Sequence, residues 1–162
     1  MRLHIGTNYQ GYEYARSLEA WLTQAGHQVI WHGADSYDFE DDYPLFSFRV
    51  GQAVIADEDK GLETRGIVVG GTGSGEIIAA NKVNGTRAVP AISVEYVKDA
   101  REHANANILV IGADTTDAQS AQAMITALTE TSFLMILDDA RRLVNTNEFE
   151  NSGTIEGWMI EG

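Results

Sequence analysis

An apolar run, Ile67-Val68-Val69, passes directly into Gly70-Gly71-Thr72-Gly73-Ser74-Gly75-Glu76 and then into Ile77-Ile78-Ala79-Ala80. The first run reads as a buried parallel strand, and the second as the start of a helix with Glu76 in its first turn. Glycines at 70, 71, 73 and 75 accept backbone angles closed to other residues and let a ligand approach the main chain. Free N–H groups and the dipole at a helix start favour an anionic or oxyanionic group. Taken alone, the junction specifies either a polar-ligand loop or a tight turn carrying a dipole-favoured glutamate.

The rest of the chain repeats the same alternation. Strands are expected at residues 3–6, 28–31, 66–69, 87–92 and 108–111, and helices at 12–25, 45–56, 76–82, 94–103, 117–130 and 133–144. Repeated strand-helix units predict an α/β fold, a three-layer α/β/α sandwich with a five-stranded parallel Rossmann-like sheet. Ligands in such sheets bind at the carboxyl ends of the strands, which would gather residues 7–11 and 70–76, with the turn after the fifth strand close by. Residues 1–145 form the expected domain, and 146–162 a C-terminal tail in which Trp158-Met159-Ile160 is a candidate docking patch.

Composition narrows the function classes. A chain of 162 residues with 44% hydrophobic content suffices for one sizeable core. Its 24 acidic and 11 basic residues give a net charge of −13, which opposes nucleic acid and anionic lipid and requires any phosphate to find a locally positive pocket. Without cysteine there is no disulfide or thiolate metal site. No spacing among His4, His27, His32 and His103 suggests a metal, so neither metal nor cofactor is expected. No leader-like segment or membrane-length apolar run is evident, and the expected location is cytoplasmic.

Separated blocks carry a family resemblance: Ile5-Gly6-Thr7-Asn8-Tyr9-Gln10-Gly11-Tyr12-Glu13, Asp42-Tyr43-Pro44, the glycine loop through Val83, Gly85-Thr86-Arg87-Ala88, and Ala100-Arg101-Glu102-His103 with Asn107-Ile108-Leu109. In this order they resemble the ribose-5-phosphate isomerase B and galactose-6-phosphate isomerase family. The resemblance implies an aldose-ketose isomerase acting on a pentose or hexose, or its phosphate, by proton transfer through an enediolate. That chemistry needs a base beside the carbonyl and donors for the developing oxyanion. One branch of the family places a cysteine at the position of Gly70, and another a glutamate at the position of Glu76, which this chain follows. The implied catalytic residues are Glu76 as base, Thr72 beside the oxyanion, and His103 for ring opening. Histidine suits that last task because it titrates near neutrality.

Substrate contacts are expected at Asn8, Tyr9, Gly71, Gly73, Ser74, Gly75, Asp114, Asp138 and Arg142. Several depart from the pattern. Asn8 and Tyr9 replace an aspartate and a histidine, and Asp114 and Asp138 replace phosphate-binding arginines, while Arg142 matches the last of these. Asp114 and Asp138 can accept from sugar hydroxyls instead. The family pairs subunits, so the resemblance implies a homodimer with shared active sites, with a heteromer as the variant in which a partner supplies missing groups. The alternative function is a catalytically impaired sugar-binding protein or partner subunit. Gly71, Gly73 and Gly75 also raise dinucleotide binding, but they follow the third strand rather than the first.

Overall fold

A computed structural model describes residues 1–155. Five strands, β1 (Arg2–Thr7), β2 (Gln28–Trp31), β3 (Thr64–Gly70), β4 (Ala88–Pro90) and β5 (Ile108–Gly112), form one sheet in the order β2-β1-β3-β5-β4. Every neighbouring pair is parallel. Helices α1 (Tyr12–Gln24), α2 (Tyr43–Glu58), α3 (Ser74–Ala80), α4 (Val94–Ala104), α5 (Ala118–Glu130) and α6 (Leu137–Ser152) connect and flank the strands, with a 3-10 turn at Tyr9–Gly11.

The period-two alternation of the strands divides the core. Leu3, Ile5, Ile67, Val69, Leu109 and Ile111 meet Leu18 and Leu22 of α1, Val97 of α4 and Ile125 and Leu128 of α5. Val68, Ile108 and Val110 point the other way, onto Val50 and Val54 of α2 and Ala80 of α3. A sheet covered on both faces explains why its strands are continuously apolar. Successive connections leave β1 toward opposite sides, so the order reverses between β1 and β3, and a crevice opens at their carboxyl ends.

Local boundaries differ from expectation for identifiable reasons. The last helix, expected at 133–144, starts at Leu137 because residues before it stay out of the helix, with Met135 at φ +55° and Leu134 N–H bonded to Glu102 O. It runs through position 145 to Ser152, where Gly153 closes it at φ +70°. The fourth strand, expected at 87–92, is confined to Ala88–Pro90. Asn81 closes α3 with its backbone N–H on Ile77 O and also clamps β4: its Nδ2 donates to Ala88 O, and its Oδ1 accepts from Ala88 N–H. Trp158, Met159 and Ile160 lie outside the described residues.

Candidate active site

Thr7 pairs with Val69 where β1 and β3 end, so Asn8, Tyr9 and Gln10 continue alongside Gly70 and Gly71. The glycines there have separate reasons. A Cβ on Gly70 would lie 2.0 Å from Glu76 Oε1, 2.2 Å from Cδ and 2.6 Å from Oε2, so the carboxylate fills the space of the missing side chain. Gly73 turns the chain into α3 at φ +88°, a left-handed conformation that glycine takes without strain. A Cβ on Gly75 would meet the Tyr43 ring at 2.4–2.9 Å, so the start of α2 lies against the start of α3.

Glu76 is 4% exposed. Burial raises its carboxyl above the ordinary range, while its own backbone N–H pulls the other way. A carboxylate placed there can accept a proton from a ligand held in the loop. Over Gly71 converge the Gln10 amide, whose Oε1 would stand 3.1 Å from a Cβ there, and an Asp114 oxygen at 3.2 Å. The turn after β5 is tied to the loop by Ala113 N–H to Gly70 O (2.8 Å) and Asp114 N–H to Gly71 O (2.9 Å). Thr72 and Ser74 are exposed, their hydroxyls 3.0 Å apart.

The carboxyl edge therefore unites Asn8, Tyr9, Gly71, Thr72, Gly73, Ser74, Gly75, Glu76 and Asp114. His103 is not among them. α4 returns from the carboxyl end of β4 to the amino end of β5, and His103 stands in its last turn, at the opposite edge of the sheet. There its Nδ1 lies 2.8 Å from Asp139 Oδ2, and because a carboxylate only accepts, the proton is on Nδ1. That bond raises the imidazole pKa and lowers that of Asp139, which also accepts from Arg142 at 2.8 Å. Asp138 pairs with Arg141 at 3.1 Å. Asp114 and Asp138, treated together in the sequence as hydroxyl acceptors, thus belong to different edges of one chain.

Gln10 lies against the loop, within the 7–11 segment expected at this edge, and two further neighbours join it: Tyr43 and Asp41, whose Oδ1 accepts from Tyr9 N–H at 2.8 Å. Tyr43 carried a signal in Asp42-Tyr43-Pro44 and Gln10 in the block that follows the first strand, whereas Asp41 carried none, since it reaches Tyr9 from a segment distant in sequence. Arg87 pairs with Glu58 at 3.4 Å. His4 and His32 are structural: His4 bridges Asp57 (2.9 Å) and His32 (2.8 Å). Among the described residues, no three His, Asp or Glu side chains are grouped to hold a metal, and no helix is long and apolar enough to cross a membrane.

A buried carboxylate at the switch point of a parallel sheet, beneath a glycine-rich loop, defines an enzyme of the open α/β class with a small-ligand site. The comparison with known proteins makes this specific: residues 3–145 match the model of the ribose/galactose isomerase family, and the chain belongs to that family. It is 40% identical over 152 residues to ribose-5-phosphate isomerase B of Mycolicibacterium paratuberculosis, covering 94% of this chain and 93% of that protein. The structure of Clostridium thermocellum ribose-5-phosphate isomerase B superposes with a TM-score of 0.86 at 33% identity, over 95% of this chain and all of that one. Ribose-5-phosphate isomerase B from Mycoplasma genitalium, solved with bound ribulose-5-phosphate, also gives 0.86, at 26% identity over 93% and 97% of the two chains. The chain is a sugar-phosphate isomerase homologue with the family's five-stranded α/β fold.

Proposed function

We propose that the protein interconverts an aldose and a ketose, of a pentose, a hexose or one of their phosphates, with Glu76 moving the proton between the two carbons. The observation that carries this reading is the Glu76 carboxylate lying against Gly70, buried at the crevice between β1 and β3. In its ionised form it removes the proton beside the carbonyl. The resulting enediolate oxygen is met by the N–H groups of Gly71 to Gly75 and by the Thr72 hydroxyl, and the protonated carboxyl returns the proton to the neighbouring carbon. Burial supports the return step, since a raised pKa makes the protonated form accessible.

The active form in this reading is a homodimer in a cytoplasmic setting. His103 opens the sugar ring in the site of the other subunit. What supports this is placement: His103, Asp139 and Arg142 stand at the edge opposite Glu76, beside an apolar stretch that leaves Leu134, Met135, Ile136 and Leu137 exposed, the last at 83%. An exposed run of that kind beside a charged site is the expected signature of an interface between copies. Asp114 over the loop, and Arg142 already engaged by Asp139, favour a substrate whose far end is recognised through hydroxyls more than through charge. The test is solvent-deuterium incorporation, followed by NMR, across free and phosphorylated aldoses and ketoses, with the preferred sugar identified by its exchange rate.

A further inference from the structure

Tyr9 and Asp41 are brought together from segments 32 residues apart, and the contact leaves two acceptors unserved. Asp41 Oδ1 takes Tyr9 N–H at 2.8 Å, while its Oδ2 is buried with no hydrogen-bond partner. One residue before Tyr9, the Asn8 side chain is 4% exposed, and its Oδ1 is likewise buried without a partner. Neighbouring acceptors in this state are costly, because each forfeits the bonds that water would have supplied. The edge-on stacking of Tyr9 and Tyr37, ring centres 6.2 Å apart, holds the loop that carries Asp41 against this turn.

We infer that Asp41 and Asn8 together form a hydroxyl-binding subsite, which two O–H groups of a polyol satisfy at once. The ligand class follows from the deficit. Two acceptors lacking donors call for a neutral group rich in O–H, not for an anion, and the position beside Gly70 and Gly71 puts such a group within a sugar's length of Glu76. Asp41 brings a carboxylate to the turn that follows β1, beside Asn8. Its own surroundings agree: burial, and secondarily Asp38 and Asp42, hold its carboxyl above the ordinary range, with Tyr9 N–H opposing them. A hydroxyl donor relieves that desolvation directly. The inference rests on the sugar-site reading, but not on turnover.

The experiment uses ribitol and ribitol 5-phosphate, which have no carbonyl and do not isomerise, titrated into the full-length protein with the Tyr9 amide resonance as local reporter. At least one probe is expected to shift that resonance. Asp41→Ala is expected to weaken its binding by about 10–100-fold, the range for a hydrogen bond to a charged group. Asp41→Asn keeps an oxygen for Tyr9 N–H, so it separates loss of the loop anchor from loss of the acceptor, and a weakening of about tenfold is expected. Binding of the probes to both variants as to wild type overturns the inference. So does a Tyr9 amide that neither probe moves, since trapped water then serves the two oxygens. Deuterium exchange on aldoses, run in parallel, reports on the isomerase reading separately: ribitol binding at Asp41 without exchange refutes turnover while leaving the subsite intact.

Discussion

Replacing Gly70 by alanine asks whether the Glu76 carboxylate works from where it lies. The new Cβ would stand 2.0 Å from Oε1 and 2.6 Å from Oε2, whereas ordinary contact begins at 3.4 Å, so the nearer oxygen must retreat by about 1.4 Å. The backbone cannot yield in its place, because Gly70 is the last residue of β3, paired with Gly112 of β5. The carboxyl group ends a flexible side chain, so the retreat costs little stability. Its effect on chemistry is large, because misplacing a catalytic group by about 1 Å costs on the order of 10²-fold in rate. Gly70→Ala is therefore expected to lower kcat for deuterium exchange by about 10²-fold, with a melting temperature within a few degrees of wild type. Gly75→Ala is the comparison, because its Cβ meets the Tyr43 ring instead and displaces the pocket wall without touching the carboxylate directly. Full exchange activity in folded Gly70→Ala would refute the placement of the chemistry at this contact.

Other predictions concern the dimer and two histidine clusters. Glu76→Gln and His103→Ala chains, each inactive alone, should regain activity when unfolded together and reassembled. Random pairing makes half the dimers mixed, each with one intact site of two, so about a quarter of wild-type activity is expected; no recovery would argue against sites shared between subunits. Asp139→Asn replaces the carboxylate that raises the His103 pKa with a neutral amide, so an NMR titration should show it falling toward the ordinary histidine value. The buried chain Asp57–His4–His32 predicts an acid-labile fold. Burial, then the neighbouring His4 and Arg49, lower His32 from 6.5 to about 4, so the unfolded chain binds the proton more readily and stability falls as pH drops through that window. Full conversion of the shift sets an upper bound of about 3 kcal/mol, and solvent screening at the partly open imidazole reduces the loss below it. Urea unfolding at pH 7, 5.5 and 4 should show it in wild type and show less of it in His32→Gln; equal slopes would remove His32 as the cause.

The parts legible in the sequence were those whose signal is local. The strand, glycine loop and helix around Glu76 announce themselves because dihedral freedom, apolar period and a first-turn carboxylate all fall within fifteen consecutive residues. Alternation of such units was enough for the sheet class, whereas the placement of His103 at the far edge from Glu76 was not drawn from it and emerges from the direction of α4 in the fold. Contacts made through the sheet register were hidden. His4, His32 and Asp57 meet only because β1 pairs with β2 and packs under α2, and Asp41 reads as one more solvated acid until the loop after β2 is folded onto Tyr9. The start of α6 was obscured for another reason: Phe133 to Ile136 carry a helical-looking apolar composition, but Leu134 N–H is engaged by Glu102 O, Met135 is left-handed, and the segment stays out of the helix.

The measurement that bears most directly on the central claim is deuterium incorporation at the carbon beside the carbonyl, comparing wild type with Glu76→Gln on the preferred sugar in deuterated water. The amide keeps the shape of the carboxylate and cannot take the proton, so exchange in the variant should fall by at least about 10²-fold while the fold and sugar binding persist. Exchange at the wild-type rate in Glu76→Gln would contradict the account and assign the proton to another group at the crevice.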